Sequence, residues 1–235
     1  MFDVLMPLKN LAAAKDRLSS LLTSHQRGTL AVAMATDVLE TVLEWSACRS
    51  ITLIVGAGWE QTFADRQRVT VVHEFSLPGK GLNQLLECGL TRLQSAHKII
   101  LHGDLPLLTM NDLDMIASAL EGNDLAICPD YRQTGTNAIG FSCDQFFPLQ
   151  FGEDSFSRHC ADASLRGLRW VSVQSETLSA DVDLPDDLQS LEDRYLEGGG
   201  FGANMRRWID RNIPFSAAEN RTLLEPSLPA SASGV

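Results

Sequence analysis

Residues 99–109 read Ile99-Ile100-Leu101-His102-Gly103-Asp104-Leu105-Pro106-Leu107-Leu108-Thr109. The apolar run suits a strand covered on both faces, as in the parallel sheets of α/β proteins, and it ends abruptly in a carboxylate. Pro106 cannot donate to a ladder and stops the strand. Thr109 is placed to cap a helix whose core face reads Leu113, Ile116, Ala117, Leu120. In open α/β sheets, ligands bind just beyond the carboxyl ends of the strands, and Asp104 falls at such an end. Position alone leaves it two readings: a ligand-facing carboxylate, or the cap of a tight turn.

Outward from this stretch the strand–helix alternation repeats. Apolar strands are expected at Val4-Leu5-Met6, at 50–55, 69–72 and 124–128, after Gly135, and at 170–173. Between them lie a helix over about 25–46, with Leu30, Met34, Val38, Val42 and Trp45 on one face, and a helix striped by Leu82, Leu85, Leu86, Leu90 and Leu93. A helix near Ser155 and a Pro-started helix at Pro185 follow. Alternation of this kind predicts a three-layer α/β/α sandwich with a mostly parallel, Rossmann-like sheet. The regular pattern stops at Gly198-Gly199-Gly200, which divides the chain into a body of 1–197, an arm of 198–224 and a Pro/Ser/Ala-rich disordered tail of 225–235. Met205, Trp208 and Ile209 give the arm an apolar stripe, which packs on the body or pairs with a second copy in a homodimer.

The composition narrows the function. A length of 235 residues with 44% hydrophobic and 21% charged side chains is that of a globular protein. No apolar run spans a bilayer, and Met1-Phe2-Asp3-Val4 lacks the basic flank of a signal peptide. The five scattered cysteines (Cys48, Cys88, Cys128, Cys143, Cys160) read as reduced thiols of a cytoplasmic protein. A net charge of -11 argues against nucleic acid as a partner, and an anionic ligand would need locally concentrated cations or a metal.

Such cations occur in the first loop, at Lys9, Lys15 and Arg17, where they cradle phosphates or form a solvated turn. No P-loop and no G-x-G-x-x-G is present. In Pro78-Gly79-Lys80-Gly81-Leu82-Asn83 the glycines admit a close ligand, while Asn83 either caps the helix or reads a base edge. Gly135-Thr136 stands at a polar bend, the turn of a hairpin or a place where donors converge. Ser155, one turn before Arg158, is an N-cap or an anion site. Asp181 and Asp183 lie on one face of an extended segment and are kept for a shared divalent cation, the alternative for Asp183 being to complement the next helix dipole; Asp186 and Asp187 are read as complementing it.

In this order, the cationic first loop, Gly81-Leu82-Asn83, Asp104-Leu105-Pro106, Gly135-Thr136, Phe151-Gly152…Ser155 and Asp181-Val182-Asp183-Leu184-Pro185-Asp186-Asp187-Leu188 resemble a guanylyltransferase family. That family makes the phospholactyl-type precursor of the deazaflavin coenzyme F-420, on the MobA-like fold of the nucleotide-diphospho-sugar transferases. The resemblance covers about residues 3–197. It implies that Lys9, Lys15 and Arg17, with Gly81 and Asn83, bind GTP. Asp104, Asp181 and Asp183 would hold Mg²⁺, and Gly135, Thr136, Gly152 and Ser155 the phosphorylated acid; Asp104, Lys15 and Arg17 would be catalytic. The expected acids are 2-phospho-L-lactate, phosphoenolpyruvate and 3-phospho-D-glycerate. The chain departs from the pattern at Asp16 (usually Ser), His102-Gly103, Asn137 and beyond Gly198. Asp16 is the departure that matters most, because a carboxylate beside a triphosphate is unfavourable unless it points away. Three rivals stand beside this reading: a relative acting on a molybdopterin or sugar phosphate, a metal-dependent glycosyltransferase, and a non-catalytic nucleotide-binding protein.

Overall fold

The computed structural model describes residues 1–59, 62–63, 66–142 and 147–213. The tail from 225, most of the arm beyond α6 (below) and Cys143 lie outside them.

Seven strands, β1 (Phe2–Leu8), β2 (Cys48–Val55), β3 (Val69–His73), β4 (His97–Leu101), β5 (Leu125–Pro129), β6 (Thr136–Phe141) and β7 (Trp170–Ser172), form one sheet in the order β3-β2-β1-β4-β6-β5-β7. All neighbours run parallel except at β6, which is antiparallel to both β4 and β5. The reversal follows from chain length: only residues 130–135 separate β5 from β6, too few for a parallel crossover.

Side-chain alternation divides the central strands between two cores. Val4, Met6, Ile51, Leu53, Ile99 and Leu101 face one layer, built by α1 (Ser24–Glu44) and α3 (Met110–Ala119). Leu5, Ile54, Ile100, Ile127 and Ile139 face the other, built by α2 (Gly81–Leu90) and α4 (Ser155–Leu165). This is the expected three-layer sandwich. Thr109 does cap α3: its hydroxyl accepts from Asp112 N while Asp112 accepts from Thr109 N, an arrangement worth about 1 kcal/mol. Helix α1 ends one to two residues before the expected boundary, because Trp45 turns extended to place its buried indole under Phe2.

A third apolar cluster joins α1 to α5 (Pro185–Leu196) and α6 (Ala203–Asn212). Met205, Trp208 and Ile209 bury in it against Leu30, Met34, Val182 and Leu188, so the stripe beyond Gly198 packs on its own chain. Asp37 of α1 accepts from the backbone N–H groups of Asn204 and Met205 and so caps α6 from outside. Gly202 is required there, since a Cβ would lie 2.2 Å from the Asp37 carboxyl carbon. No described helix is long and apolar enough to cross a membrane, and the four described cysteines are free thiols.

Candidate active site

After β1 the chain leaves to one side of the sheet, whereas β4 lies on β1's other side. The loops following β1 and β4 therefore flank the topological switch point, where open α/β sheets form their ligand crevice. A cavity of about 280 Å³ opens there, lined among others by Lys9, Lys15, Arg17, His102, Asp104 and Asp183.

Two one-turn 3-10 helices, Leu11–Ala13 and Asp16–Leu18, shape the first loop. Between them Lys15 adopts a left-handed conformation (φ 54°), which is uncommon for a side-chain-bearing residue and turns the ammonium inward. Arg27 of α1 secures the loop by donating to Ala14 O and Leu22 O. The same guanidinium pairs with Asp16 at 3.2 Å and offsets part of its charge, while Asp16 itself lines the cavity beside Lys15 and Arg17.

Lys15 Nζ lies 2.6 Å from Asp104 Oδ2 and 3.3 Å from Asp183 Oδ1, and Arg17 reaches Asp183 Oδ2 at 3.1 Å. Cations of the first loop and carboxylates nearly 90 and 170 residues away thus form one cluster. Burial tends to raise the pKa of Asp104, but the Lys15 ammonium, together with His102 and Lys9, outweighs it and holds the carboxyl at about 2. Burial likewise tends to lower Lys15, and Asp104 and Asp183 raise it above its ordinary value. Asp181 has a different environment. Its Oδ1 accepts from Asn137 at 3.3 Å, while burial and the Asp104 charge push its pKa up to about 7.

The donor chemistry fits a divalent cation. Asp104 Oδ1 is buried without a hydrogen-bond partner among the described residues, although most buried carboxylate oxygens have one. Burial first, and then the Asp104 charge, hinders ionisation of Asp181, a conflict that a bound cation resolves. Among the described residues, no three carboxylate, histidine or cysteine side chains already converge at metal-binding distance. Lys15 is the counter-ion of the cluster instead.

On the adjoining side lie the expected acid-binding elements. Asp130 accepts from Thr134 N and Gly135 N, folding the hairpin turn tightly enough that a Cβ on Gly135 would sit 2.8 Å from its Oδ2. Thr136 and Ser155 are buried and hydrogen-bonded to each other at 3.1 Å. Ser155 is the first residue of α4 rather than its cap, since the N-cap is Asp154, and Gly152 precedes it at φ 129°. Arg158 turns onto the carbonyl of Glu153. Asn83 does not cap α2. Its amide bridges both backbone groups of Phe151, tying α2 to the segment before α4. Gly81 (φ 76°) opens α2 beside a second cavity of about 490 Å³ that shares Pro7, Leu8, Lys9 and Leu82 with the first.

Sequence reasoning missed three contributors. Arg132 pairs with Asp187 at 2.8 Å, and Asp187 also accepts from the N–H groups of Asp183 and Leu184, so one carboxylate both fixes the Asp183 backbone and starts α5. Trp59 donates its indole N–H to Lys9 O. His159 reaches Thr136 at 3.0 Å; its spacing of four from Ser155, one helical turn, is the signal that could have found it.

A model of the family described as "Guanylyl transferase CofC like" matches residues 2–211. The chain belongs to that family. It is 32% identical over 197 residues to a phosphoenolpyruvate guanylyltransferase of Chloroflexus aurantiacus, covering 80% of this chain and 93% of that protein. To a 3-phospho-D-glycerate guanylyltransferase of Phenylobacterium zucineum it is 28% identical, covering 80% and 88%. Among solved structures, one from Desulfovibrio desulfuricans G20 assigned to the nucleotide-diphospho-sugar transferases is similar in fold, with a TM-score of 0.72 and 18% identity over 89% of this chain and 95% of that one. Membership of the CofC-like family makes the chain a guanylyltransferase and sets the glycosyltransferase reading aside.

Proposed function

We propose that this guanylyltransferase joins GTP to a phosphorylated three-carbon acid, as a step of coenzyme F-420 biosynthesis, with Mg²⁺ as its metal. The acid is one of 2-phospho-L-lactate, phosphoenolpyruvate and 3-phospho-D-glycerate. The observation that carries this reading is the Lys15–Asp104–Asp183–Arg17 cluster at the switch point, together with an Asp104 Oδ1 that has no hydrogen-bond partner among the described residues.

A phosphate oxygen of the acid attacks the α-phosphorus of GTP. A new P–O bond forms, the bond from the α-phosphorus to its bridging oxygen breaks, and pyrophosphate leaves with that oxygen. The attacking monoester is already largely ionised at neutral pH (second pKa about 6), so no general base is needed. The chain's task is to hold two polyanions together in line. Lys9, Lys15 and Arg17 offset the charge of the departing pyrophosphate, and Gly81 and Asn83 border the nucleoside side. Gly135, Thr136, Gly152 and Ser155 hold the acid. Asp104, Asp181 and Asp183 would hold the divalent ion, which when bound supplies charge neutralisation on phosphate oxygens.

The test is incubation with GTP, Mg²⁺ and each acid in turn, reading pyrophosphate release. Release with one acid and with GTP in preference to CTP, UTP and ATP is expected. Failure with all three acids would sink the substrate assignment.

A further inference from the structure

His159 lies on α4 one turn beyond Ser155 and is fully buried. Its Nε2 stands 2.9 Å from the backbone nitrogen of Gln150. A backbone N–H can only donate, so Nε2 accepts, and the ring proton belongs on Nδ1. An imidazolium would set two N–H groups against each other at this contact. Burial, assisted by the nearby Arg158 charge, also pushes the ring's pKa down to about 4, which keeps it neutral.

The consequence passes through the hydroxyls. Nδ1–H donates to Thr136 Oγ1 at 3.0 Å, and Thr136 Oγ1 lies 3.1 Å from Ser155 Oγ. The two hydroxyls carry two protons, and their mutual bond uses one, whichever donates. His159 cannot accept the other, because its Nδ1 is already a donor. Among the described residues neither hydroxyl has another partner. One hydroxyl proton is therefore left over, where the Gly135-Thr136 turn meets the N-terminus of α4. The opposite tautomer would take up that proton and leave only lone pairs on the pair, which repel an anion.

We propose that His159 is a positioning residue that fixes the proton polarity of the Thr136–Ser155 pair, so that the pair presents a donor to the anionic end of the phosphorylated acid. This rests on the acid-binding role given above to Thr136 and Ser155. The rings of Phe151 and Phe147, with centroids 5.1 and 5.8 Å from that of His159, hold the imidazole plane, and Phe151 in turn touches the ring of His102 at 5.0 Å. The polarity device is thereby packed against the strand end that carries Asp104.

The test has two arms. Nitrogen-15 NMR on the full-length, substrate-free protein at neutral pH should show the Nδ1–H tautomer of His159. The Nε2–H tautomer or an imidazolium would overturn the proposal whatever the activity, and this arm needs no variant to fold. In the second arm, His159→Phe leaves the spare proton but removes the donor that orients it, so KM for the acid should rise about fivefold while KM for GTP stays within about twofold. His159→Asn, whose amide replaces the Nδ1–H donor, should restore most of the affinity for the acid. An unchanged KM for the acid in His159→Phe, or an equal rise for both substrates, would overturn the proposal. Inactivity of the unaltered enzyme toward every acid would instead sink the substrate assignment, leaving NMR to judge the proton assignment.

Discussion

Asp3 and Asp104 stand at opposite ends of neighbouring parallel strands, and both carboxyls are held at about pKa 2. They reach that value differently. Asp3, near the start of β1, is buried, which tends to raise its pKa. Opposing this, it accepts from Arg49 at 2.8 and 2.5 Å, Ser50 at 2.7 Å, Ser95 N at 2.8 Å and Gln94 N at 2.9 Å. Both of its oxygens are occupied by groups the fold itself supplies. Asp104, beyond the end of β4, has one oxygen on Lys15 and, among the described residues, no partner for the other. A carboxylate whose acceptor sites are all filled ties elements together. One left incompletely satisfied stores a demand for a cation, and the fold tolerates that because Lys15 balances the charge in the meantime.

Several substitutions would break or sharpen this contrast. The largest effect is expected for Asp104→Asn: turnover of the folded protein falls at least about a hundredfold, because the missing charge served the reaction, and urea unfolding shifts as well, because Lys15 loses its nearer buried partner. Full activity in that variant would remove Asp104 from the metal site. Lys15→Met should reduce kcat about tenfold or more, and should let the Asp104 carboxyl, now buried without its cation, titrate above its ordinary 3.8. Carbon-13 NMR of that carboxyl reads the second effect independently of activity.

Asp3→Asn reverses the pattern. We expect unchanged steady-state rates and a loss of about 2 kcal/mol of stability, the linkage value of a carboxyl lowered from 3.8 to about 2. The sign is definite: a depressed carboxylate stabilises the fold above its unfolded pKa, and that stability disappears as pH falls through about 4 toward 2. The variant's acid-unfolding limb should therefore be flatter over that interval. An equally steep limb would show that other carboxylates govern acid stability. The smallest effect is expected for Asp16→Ser. With its charge on Arg27 and two-thirds of its side chain exposed, removal should change kcat/KM for GTP less than about threefold.

Much of the fold was legible, for a simple reason. Strands such as Ile99-Ile100-Leu101 are buried on both faces, and this forces apolar runs that stand out from the amphipathic helices around them. Local capping was legible too at Thr109, where hydroxyl and carboxylate lie within four residues. It was less so at Asn83 and Ser155, since a polar residue near a helix start looks the same whether it caps its own helix or reaches across to another segment. The partners chosen, Phe151 for Asn83 and Thr136 for Ser155, lie 68 and 19 residues away. The antiparallel pairing of β6 was legible only as one of two readings of Gly135-Thr136, the hairpin turn, because apolar alternation carries no strand direction.

By itself the sequence determined the α/β class, the strand-end placement of Asp104, the first-loop cations and the carboxylates at 181 and 183. Each of these is a local pattern set by burial period or by chain punctuation. Only the tertiary structure decided how they are used. It brought Lys15 to 2.6 Å from Asp104, set Asp16 against Arg27 and, among the described residues, left Asp104 Oδ1 unpaired. It also placed His159 where a single backbone N–H dictates the proton on its ring. Those outcomes depend on distances between residues far apart in the chain, which periodicity cannot encode and packing of the two sheet faces settles.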